Sequence, residues 1–316
     1  MRNINLVEVR SELAAGTRGA SLGIDAVKIA SLDRQSDYFT RFDPIKVPDA
    51  NEMLWKGNRF PYAKYIDGVL EVLSNVSETI QKLRTEGVFP IVLAGDHATS
   101  AGTIMGIKAA HPDLRLGVIW IDAHADLHSP FTTPTGNMHG MPLAMATATD
   151  NKTCQLNNPG EESIKFWEKI KSLGGPAAKI DLGDIVYIGL RSTEPAEDFL
   201  IEKHKIKVFT IEKVREEGID LVAEKTLAAL QNCQQIYISF DVDSLDSSIS
   251  KGTGTPVPEG LTYQEAIGLN TQLIKDNRVC CWEIVEVNPT LDTENTMAEI
   301  AFDILESTTQ ALIANF

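Results

Sequence analysis

The chain has 316 residues, with 29 Lys plus Arg against 44 Asp plus Glu, which gives a formal net charge of −15. This balance argues against a nucleic-acid partner, because binding to a phosphate backbone relies on neutralisation by Lys and Arg. A cationic small substrate would suit the negative field, although many proteins are acidic simply to stay dispersed. The length is compatible with one large α/β domain or two smaller ones.

Targeting and redox features are few. The N-terminus lacks the long apolar region of a signal peptide, and no stretch approaches the ~18 apolar residues of a membrane span. The cysteines, Cys154, Cys233, Cys280 and Cys281, have neither metal-knuckle nor redox spacing. We therefore expect reduced, mostly buried thiols in a cytoplasmic protein that binds neither membrane nor nucleic acid.

The first part of the chain predicts a strand, a glycine-rich connection and two helices. Asn3–Val9 alternates like a strand, and Ala14–Gly23 leads to a short helix over Ile24–Ser31. The connection lacks the spacing of a phosphate loop. Asp33–Pro61 is polar and proline-punctuated, which predicts irregular surface structure, and Ile66–Thr85 has the three-to-four apolar spacing of an amphipathic helix.

From Phe89 onward, apolar runs alternate with helical patterns. The predicted strands are Phe89–Ala94, Leu116–Ile121, Ile185–Leu190, Lys207–Ile211, Gln235–Phe240 and Cys281–Val287. The predicted helices are Ala98–Ala110, Ser163–Leu173, Asp220–Gln231, Thr262–Ile274 and Glu294–Ala314. This alternation indicates a mostly parallel sheet with helices on both faces, in which ligands bind at the carboxyl ends of the strands. Because the pattern resumes after the polar residues 151–184, we expect one domain over residues 1–316.

Three clusters of metal-ligand side chains follow predicted strands. They are Asp96 with His97; Asp122, His124 and Asp126; and Asp241, Asp243 and Asp246. Alternate side chains of a strand share a face, so an extended backbone would let the second cluster point one way. A purely local turn role stays open for Asp243 and Asp246.

Several carboxylates that converge at one edge of a sheet would repel each other unless cations neutralise them. Carboxylate-rich ligation with a couple of imidazoles suits a hard or borderline ion such as manganese better than the Cys/His sets of structural zinc. Two ions would share so many carboxylates naturally. Paired metals about 3.5–4 Å apart can lower the pKa of a shared water and aim it at an electrophilic carbon.

Six motifs resemble those of the arginase/agmatinase (ureohydrolase) family, and the arginases most of all. They are Gly95-Asp96-His97, Asp122-Ala-His124-Ala-Asp126, Gly136-Asn-Met-His139-Gly-Met-Pro, Ser239-Phe-Asp241-Val-Asp243-Ser-Leu-Asp246, Gly252-Thr-Gly-Thr-Pro256 and Glu286-Val-Asn-Pro289. They occur in the family's order. The resemblance implies a three-layer α/β/α sandwich around a mostly parallel sheet, two manganese ions, and hydrolysis of a guanidino compound to urea and an amine. It also implies a homo-oligomer, either a trimer or a hexamer.

The resemblance further assigns residues to roles. One metal would be bound by His97, Asp122, Asp126 and Asp241, and the other by Asp122, His124, Asp241 and Asp243. His139 is similar to the family's proton-shuttling histidine, and Glu286 would pair with the substrate guanidinium. Asp126 would also accept a hydrogen bond from the tetrahedral intermediate.

The substrate implied is L-arginine, which would give L-ornithine and urea. Thr135 and Asn137 would bind the α-carboxylate, and Glu194 the α-amino group; Thr255 and His128 are further substrate-binding candidates. The segment before Phe89 departs from the usual arginase start, so the resemblance assigns no role to that part of the pocket wall.

Three departures from the arginase pattern keep other substrates open. His128 stands where Asn is usual, Thr135 where Ser is common, and Glu194 where Asp is typical. Agmatine or a guanidino acid such as guanidinobutyrate is therefore an alternative. A metal-binding regulatory protein without turnover is a second one. A deacetylase of the related fold is disfavoured, because His124 and Asp243 point to a second metal.

Overall fold

One eight-stranded sheet organises the molecule, and every strand pairing in it is parallel. The computed structural model describes residues 3–249 and 251–315, so Met1, Arg2, Ser250 and Phe316 lie outside the described residues. In chain order the strands are β1 (Ile4–Val9), β2 (Ile45–Val47), β3 (Phe89–Ala94), β4 (Leu116–Ile121), β5 (Ile185–Ile188), β6 (Lys207–Phe209), β7 (Gln235–Asp241) and β8 (Val279–Val285). Their spatial order is β2-β1-β3-β8-β7-β4-β5-β6.

Helices cover both faces of this sheet. They are α1 (Gly23–Asp33), α2 (Tyr38–Arg41), α3 (Ile66–Thr85), α4 (Thr99–Ala110), α5 (Pro142–Thr147), α6 (Glu161–Ser172), α7 (Pro195–His204), α8 (Ile211–Glu217), α9 (Ile219–Ala229), α10 (Tyr263–Leu273) and α11 (Thr296–Ala314). Short 3₁₀ turns occur at Ala20–Leu22, Asn51–Lys56, Met138–Gly140, Lys152–Cys154, Leu182–Asp184 and Val242–Ser244. Among the described helices, none combines the length and the apolar character needed to cross a bilayer.

Two apolar cores, one on each face, hold the layers together. Along β4, Val118 and Trp120 join the core shared with α3 to α7, whereas Ile119 and Ile121 join the core shared with α1, α2 and α8 to α11. Strands that are buried on both faces read as continuous apolar runs, which is why the run Leu116–Ile121 carries no polar alternation. The predicted three-layer α/β/α architecture is confirmed.

The prediction of irregular structure for Asp33–Pro61 was wrong in part. The segment contains α2 and the edge strand β2, in which Ile45 and Lys46 are exposed. A three-residue strand with one buried side chain leaves too little pattern to detect. Helix α5 was missed for the opposite reason: it is buried on all sides and has no polar stripe.

The segment before α3 packs tightly on the loop that follows β4. Gly136 has φ of +75°, and a Cβ placed on it would lie 1.9 Å from the carbonyl oxygen of Pro61. The backbone N–H of Lys64 donates to the carbonyl oxygen of Gly136 at 2.8 Å. Only glycine permits this close approach, so the segment before α3 and the loop after β4 pack directly against each other.

Replacing Gly136 with alanine should destabilise the protein and push the segment before α3 away from the loop after β4. Left-handed strain of ~1–2 kcal/mol adds to backbone overlap, so we expect the free energy of unfolding to fall by roughly 2–4 kcal/mol in urea titrations. Gly87→Ala is the matched control, since Gly87 also has positive φ, at +74°, but nothing lies within 4 Å of its added Cβ. Equal losses in the two variants would contradict the proposed close packing.

Candidate active site and metal centre

The predicted site residues meet at the carboxyl ends of five adjacent strands, β3, β8, β7, β4 and β5. All of them except Glu286 line one cavity of about 190 Å³. Glu286 follows β8 and lies directly behind the cavity, where its carboxylate contacts His97 and His139. Neighbouring parallel strands deliver their following loops to one edge, and this explains why residues distant in sequence converge.

The first cluster forms around the imidazole of His97. Its Nδ1 lies 3.0 Å from Asp122 Oδ2, 3.1 Å from Asp126 Oδ2 and 3.0 Å from Asp241 Oδ2. Despite these distances, His97 Nδ1 and Asp122 Oδ2 are buried without a well-directed hydrogen bond among the described residues. Donor atoms that converge on one point without bonding each other match the arrangement around a cation.

The ring of His97 is fixed from behind. Its Nε2 lies 2.8 Å from Ser239 Oγ, and the ring stacks on Trp120 with centroids 4.1 Å apart. Such contacts behind a metal-ligand histidine orient the ring and set which nitrogen faces the metal.

A second cluster surrounds His124 and shares Asp122 with the first. His124 Nδ1 lies 2.9 Å from Asp243 Oδ2 and 3.6 Å from Asp122 Oδ1. Thr255 Oγ1 donates to Asp243 Oδ2 at 3.0 Å. Asp122 therefore presents one oxygen to each cluster. Asp122 Oδ1 also accepts the backbone N–H of His124 at 2.6 Å, and Asp241 Oδ1 accepts that of Asp243 at 2.8 Å, so the bridging role of both residues stays a prediction.

The backbone that carries the second sequence cluster is not a strand, and the predicted explanation for its convergence was wrong. β4 ends at Ile121, and Asp126 has φ of +52°. Glu286, just after β8, has φ of +67°. Such left-handed conformations of non-glycine residues are strained and cluster at functional sites. At Asp126 this backbone carries a carboxylate that lines the cavity, and at Glu286 one that lies behind it.

Electrostatics explains why this arrangement calls for cations. Asp122, Asp126, Asp241 and Asp243 are 1%, 7%, 2% and 2% exposed. Burial and repulsion from Asp243 and Asp122 raise the pKa of Asp241 far above its usual range. Burial and the charge of Asp122 likewise raise the pKa of Asp243 to about 6. Four carboxylates and two imidazoles form a donor set that fits hard or borderline divalent ions, which would relieve the repulsion.

Glu286 and His139 form a pair beside the first cluster. Glu286 Oε1 accepts the backbone N–H of His97 at 2.9 Å and lies 3.4 Å from His139 Nδ1. Burial alone would raise the pKa of Glu286, but the hydrogen bond and charge of His139 outweigh it and hold that pKa below its ordinary value. The same contact raises the pKa of His139 against the effect of burial. The predicted proton shuttle and guanidinium partner are thus adjacent.

The substrate-end candidates line the outer part of the cavity. His128 Nε2 is hydrogen-bonded to Glu194 Oε2, so two of the residues that depart from the arginase pattern contact each other. Thr135 Oγ1 accepts the backbone N–H of Asn137 at 3.1 Å. Asn137 Oδ1 accepts from Lys64 Nζ at 2.8 Å.

Glu197 and Lys64 were not anticipated from the sequence. Glu197 lines the cavity, its Oε2 lies 3.6 Å from His128 Nε2, and burial raises its pKa to about 7. The spacing of Glu194 and Glu197 around Pro195 is the signature of a helix N-terminus, which the structure bears out as a capping box on α7. That signal was available in the sequence. No local pattern marks Lys64.

Besides Glu286, two acidic residues of the motifs lie outside the cavity. Asp96 Oδ2 accepts from Ser11 Oγ at 2.9 Å and from the Ala14 N–H at 3.2 Å, which ties the N-terminal loop to the end of β3. Asp246 accepts the N–H groups of Ser248 and Gly260, both at 2.9 Å. The local turn alternative is therefore confirmed for Asp246, whereas Asp243 lies in the cavity.

Known proteins of one family are similar to this chain over nearly its whole length. A family model described as the Arginase family matches residues 2–310. A curated arginase of Bacillus subtilis (strain 168) is 34% identical over 308 residues, which is 97% of each chain.

Solved structures of arginases are similar to this chain as well. The crystal structure of arginase from Bacillus subtilis has a TM-score of 0.80 and 31% identity, covering 97% of this chain and 98% of that one. The crystal structure of Entamoeba histolytica arginase in complex with L-ornithine has a TM-score of 0.82 and 26% identity, with 98% and 99% coverage.

Proposed function

The chain belongs to the arginase family, as its motifs predicted, and we propose that it is a two-manganese enzyme that hydrolyses L-arginine to L-ornithine and urea. The observation that carries the proposal is the convergence of the six expected ligand side chains around Asp122, next to the Glu286–His139 pair. The Entamoeba relative was solved with L-ornithine, which is the amine product expected here. Assembly as a trimer or hexamer and a cytoplasmic location remain predictions.

The metal ligands follow from the two clusters. His97, Asp122, Asp126 and Asp241 would hold one manganese ion, and His124, Asp122, Asp241 and Asp243 the other. A donor set of oxygens and two imidazole nitrogens, without thiolates, favours manganese over structural zinc. When bound, the two metal ions would supply a water of lowered pKa that acts as a nucleophile at neutral pH.

The remaining catalytic work falls to side chains of this chain. Glu286 Oε1 is committed to the His97 N–H, which leaves Oε2 to fix the guanidinium. Holding the cation in one orientation presents its carbon to the nucleophile, which a weak electrophile requires. Because Glu286 is 3% exposed, little water competes for that contact.

Proton transfer completes the reaction. Asp126 would accept a hydrogen bond from the tetrahedral intermediate, since its carboxylate faces the cavity beside His97. His139 would deliver a proton to the nitrogen of the leaving amine. Its contact with Glu286 favours the protonated imidazole and places that proton next to the guanidinium subsite.

Guanidinobutyrate is a second candidate substrate, and one contact favours keeping it; agmatine retains the amine of L-arginine, so the same contact does not favour agmatine. In the arginase-like reading Glu194 takes the α-amino group, but its carboxylate is hydrogen-bonded to His128. A substrate without an α-amino group would leave that contact undisturbed. The regulatory alternative is disfavoured because no predicted metal ligand is substituted.

A urea-release assay tests the function. Protein loaded with Mn²⁺ should release urea from L-arginine with a higher kcat/KM than from agmatine or 4-guanidinobutyrate. The same preparation treated with a chelator serves as the control and should be inactive. Release of no urea from any of the three compounds would contradict the enzymatic proposal, and a preference for one of the other two would reassign the substrate.

His139→Asn should slow turnover while the metals stay bound. General acid/base catalysis typically contributes about 10²–10⁴-fold, so kcat should fall by a factor of this order without reaching zero. Metal content per chain, measured by atomic emission, should match the wild type. His204→Asn is the matched control, since His204 is exposed at the end of α7. A His139→Asn variant with wild-type kcat would remove the proton-transfer role.

A further inference from the structure

Lys64 contacts Asn137, which lines the outer part of the cavity, and no sequence motif assigns a role to this lysine. It lies just before α3, half-buried, and its Nζ donates to Asn137 Oδ1 at 2.8 Å. Its backbone N–H donates to the Gly136 carbonyl oxygen at 2.8 Å, so two hydrogen bonds hold the residue against the loop that follows β4. Within residues 3–249 and 251–315, the Lys64 ammonium forms no ion pair with a carboxylate.

An unpaired ammonium at this position contrasts with the rest of the chain. Acidic residues outnumber basic ones by 44 to 29. The inner cavity is lined mainly by carboxylates and imidazoles, and Glu194 and Glu197 line its outer part. Lys64 therefore places a positive charge next to Asn137, on one side of a site that is otherwise negative.

The contact with Lys64 also determines which atoms of Asn137 remain available to bind a ligand. Its Oδ1 is occupied by the Lys64 ammonium, and its Nδ2 lies against Gly16, where a Cβ would approach to 2.7 Å. The amide N–H groups are then the part of Asn137 left to a ligand. A donor amide supported by an ammonium matches a carboxylate, because hydrogen bonds to ionised acceptors are roughly twice as strong as neutral ones.

The opposite side of the rim offers less to a cation. Glu194 is hydrogen-bonded to His128, and Glu197 accepts the N–H groups of Leu127 and Glu194, both at 3.1 Å. An incoming ammonium must compete with these contacts. A carboxylate that binds the Asn137 amide would be attracted by the nearby Lys64 ammonium and would displace no existing ion pair.

We propose that Lys64 is a specificity residue that selects guanidino compounds ending in a carboxylate, with its ammonium as the counter-charge to the carboxylate that Asn137 binds. The inference rests on the proposed function and names the substrate class of the same site. It places a determinant in the segment before β3, where the family resemblance assigned none.

The expected effect is moderate because the charges are partly exposed to water. A carboxylate bound to the Asn137 amide would lie roughly 5 Å from Nζ, about two bent hydrogen-bond lengths away. Interactions of such partly exposed charges are typically worth a factor of roughly two to ten. Salt should reduce the effect further.

The test compares Lys64→Gln, Lys64→Arg and the control Lys56→Gln, each loaded with Mn²⁺, on L-arginine and agmatine. Lys64→Gln keeps a donor for Asn137 but loses the charge. We expect it to raise KM for L-arginine roughly three- to tenfold with kcat changed less, and to leave kcat/KM for agmatine the same or higher. Lys64→Arg should restore most of the loss, and Lys56→Gln, at an exposed position, should behave as wild type.

Two results would overturn the proposal: equal losses on both substrates, which would indicate a structural role, or no change on either. Failure of the proposed function is recognised separately, as absence of urea from the wild type. In that case calorimetric binding of L-ornithine and putrescine decides the role of Lys64. Weaker L-ornithine binding in Lys64→Gln with unchanged putrescine binding supports it, and any other pattern refutes it.

Discussion

The structure depends on burying four carboxylates beside two imidazoles at the edge of a parallel sheet. Burial, together with repulsion between the carboxylates, raises the pKa values of Asp241 and Asp243, so charged carboxylates in such a site call for cations. The left-handed backbone at Asp126 and Glu286 orients their carboxylates, and the contact with Ser239 fixes the ring of His97. The strand order makes this arrangement possible, because it places β3, β8, β7 and β4 side by side.

Much of the fold and of the metal centre was predictable from the sequence. Helix α3 and strands β3 and β4 match their predicted bounds, because each has a strong apolar pattern ending at a clear break. Metal ligands were recognisable because they follow strands directly. What could not be predicted depends on contacts between distant residues: Lys64 and Asn137 are 73 positions apart, and no local pattern announces their hydrogen bond. The irregular backbone after Ile121 was missed because ligand spacing alone fits a strand equally well.

The inner and outer halves of the cavity differ in how closely they follow the family. The inner half keeps every expected ligand, so the chemistry follows from the resemblance. The outer half pairs His128 with Glu194 and Lys64 with Asn137, so the charges that meet the far end of a substrate are already partly engaged. If the proposed function holds, reaction type and substrate choice would thus be set by separate sets of residues. Variation in the outer set can change the preferred guanidino compound without disturbing the metal ligands.

Anomalous diffraction at the manganese absorption edge, from crystals of the Mn²⁺-loaded protein, tests the central claim most directly. We expect two peaks per chain about 3.5–4 Å apart, one beside His97 and one beside His124, with Asp122 between them. A single peak, no peak, or a peak only at His128, Glu194 and Glu197, which also form a group able to hold an ion, would contradict it.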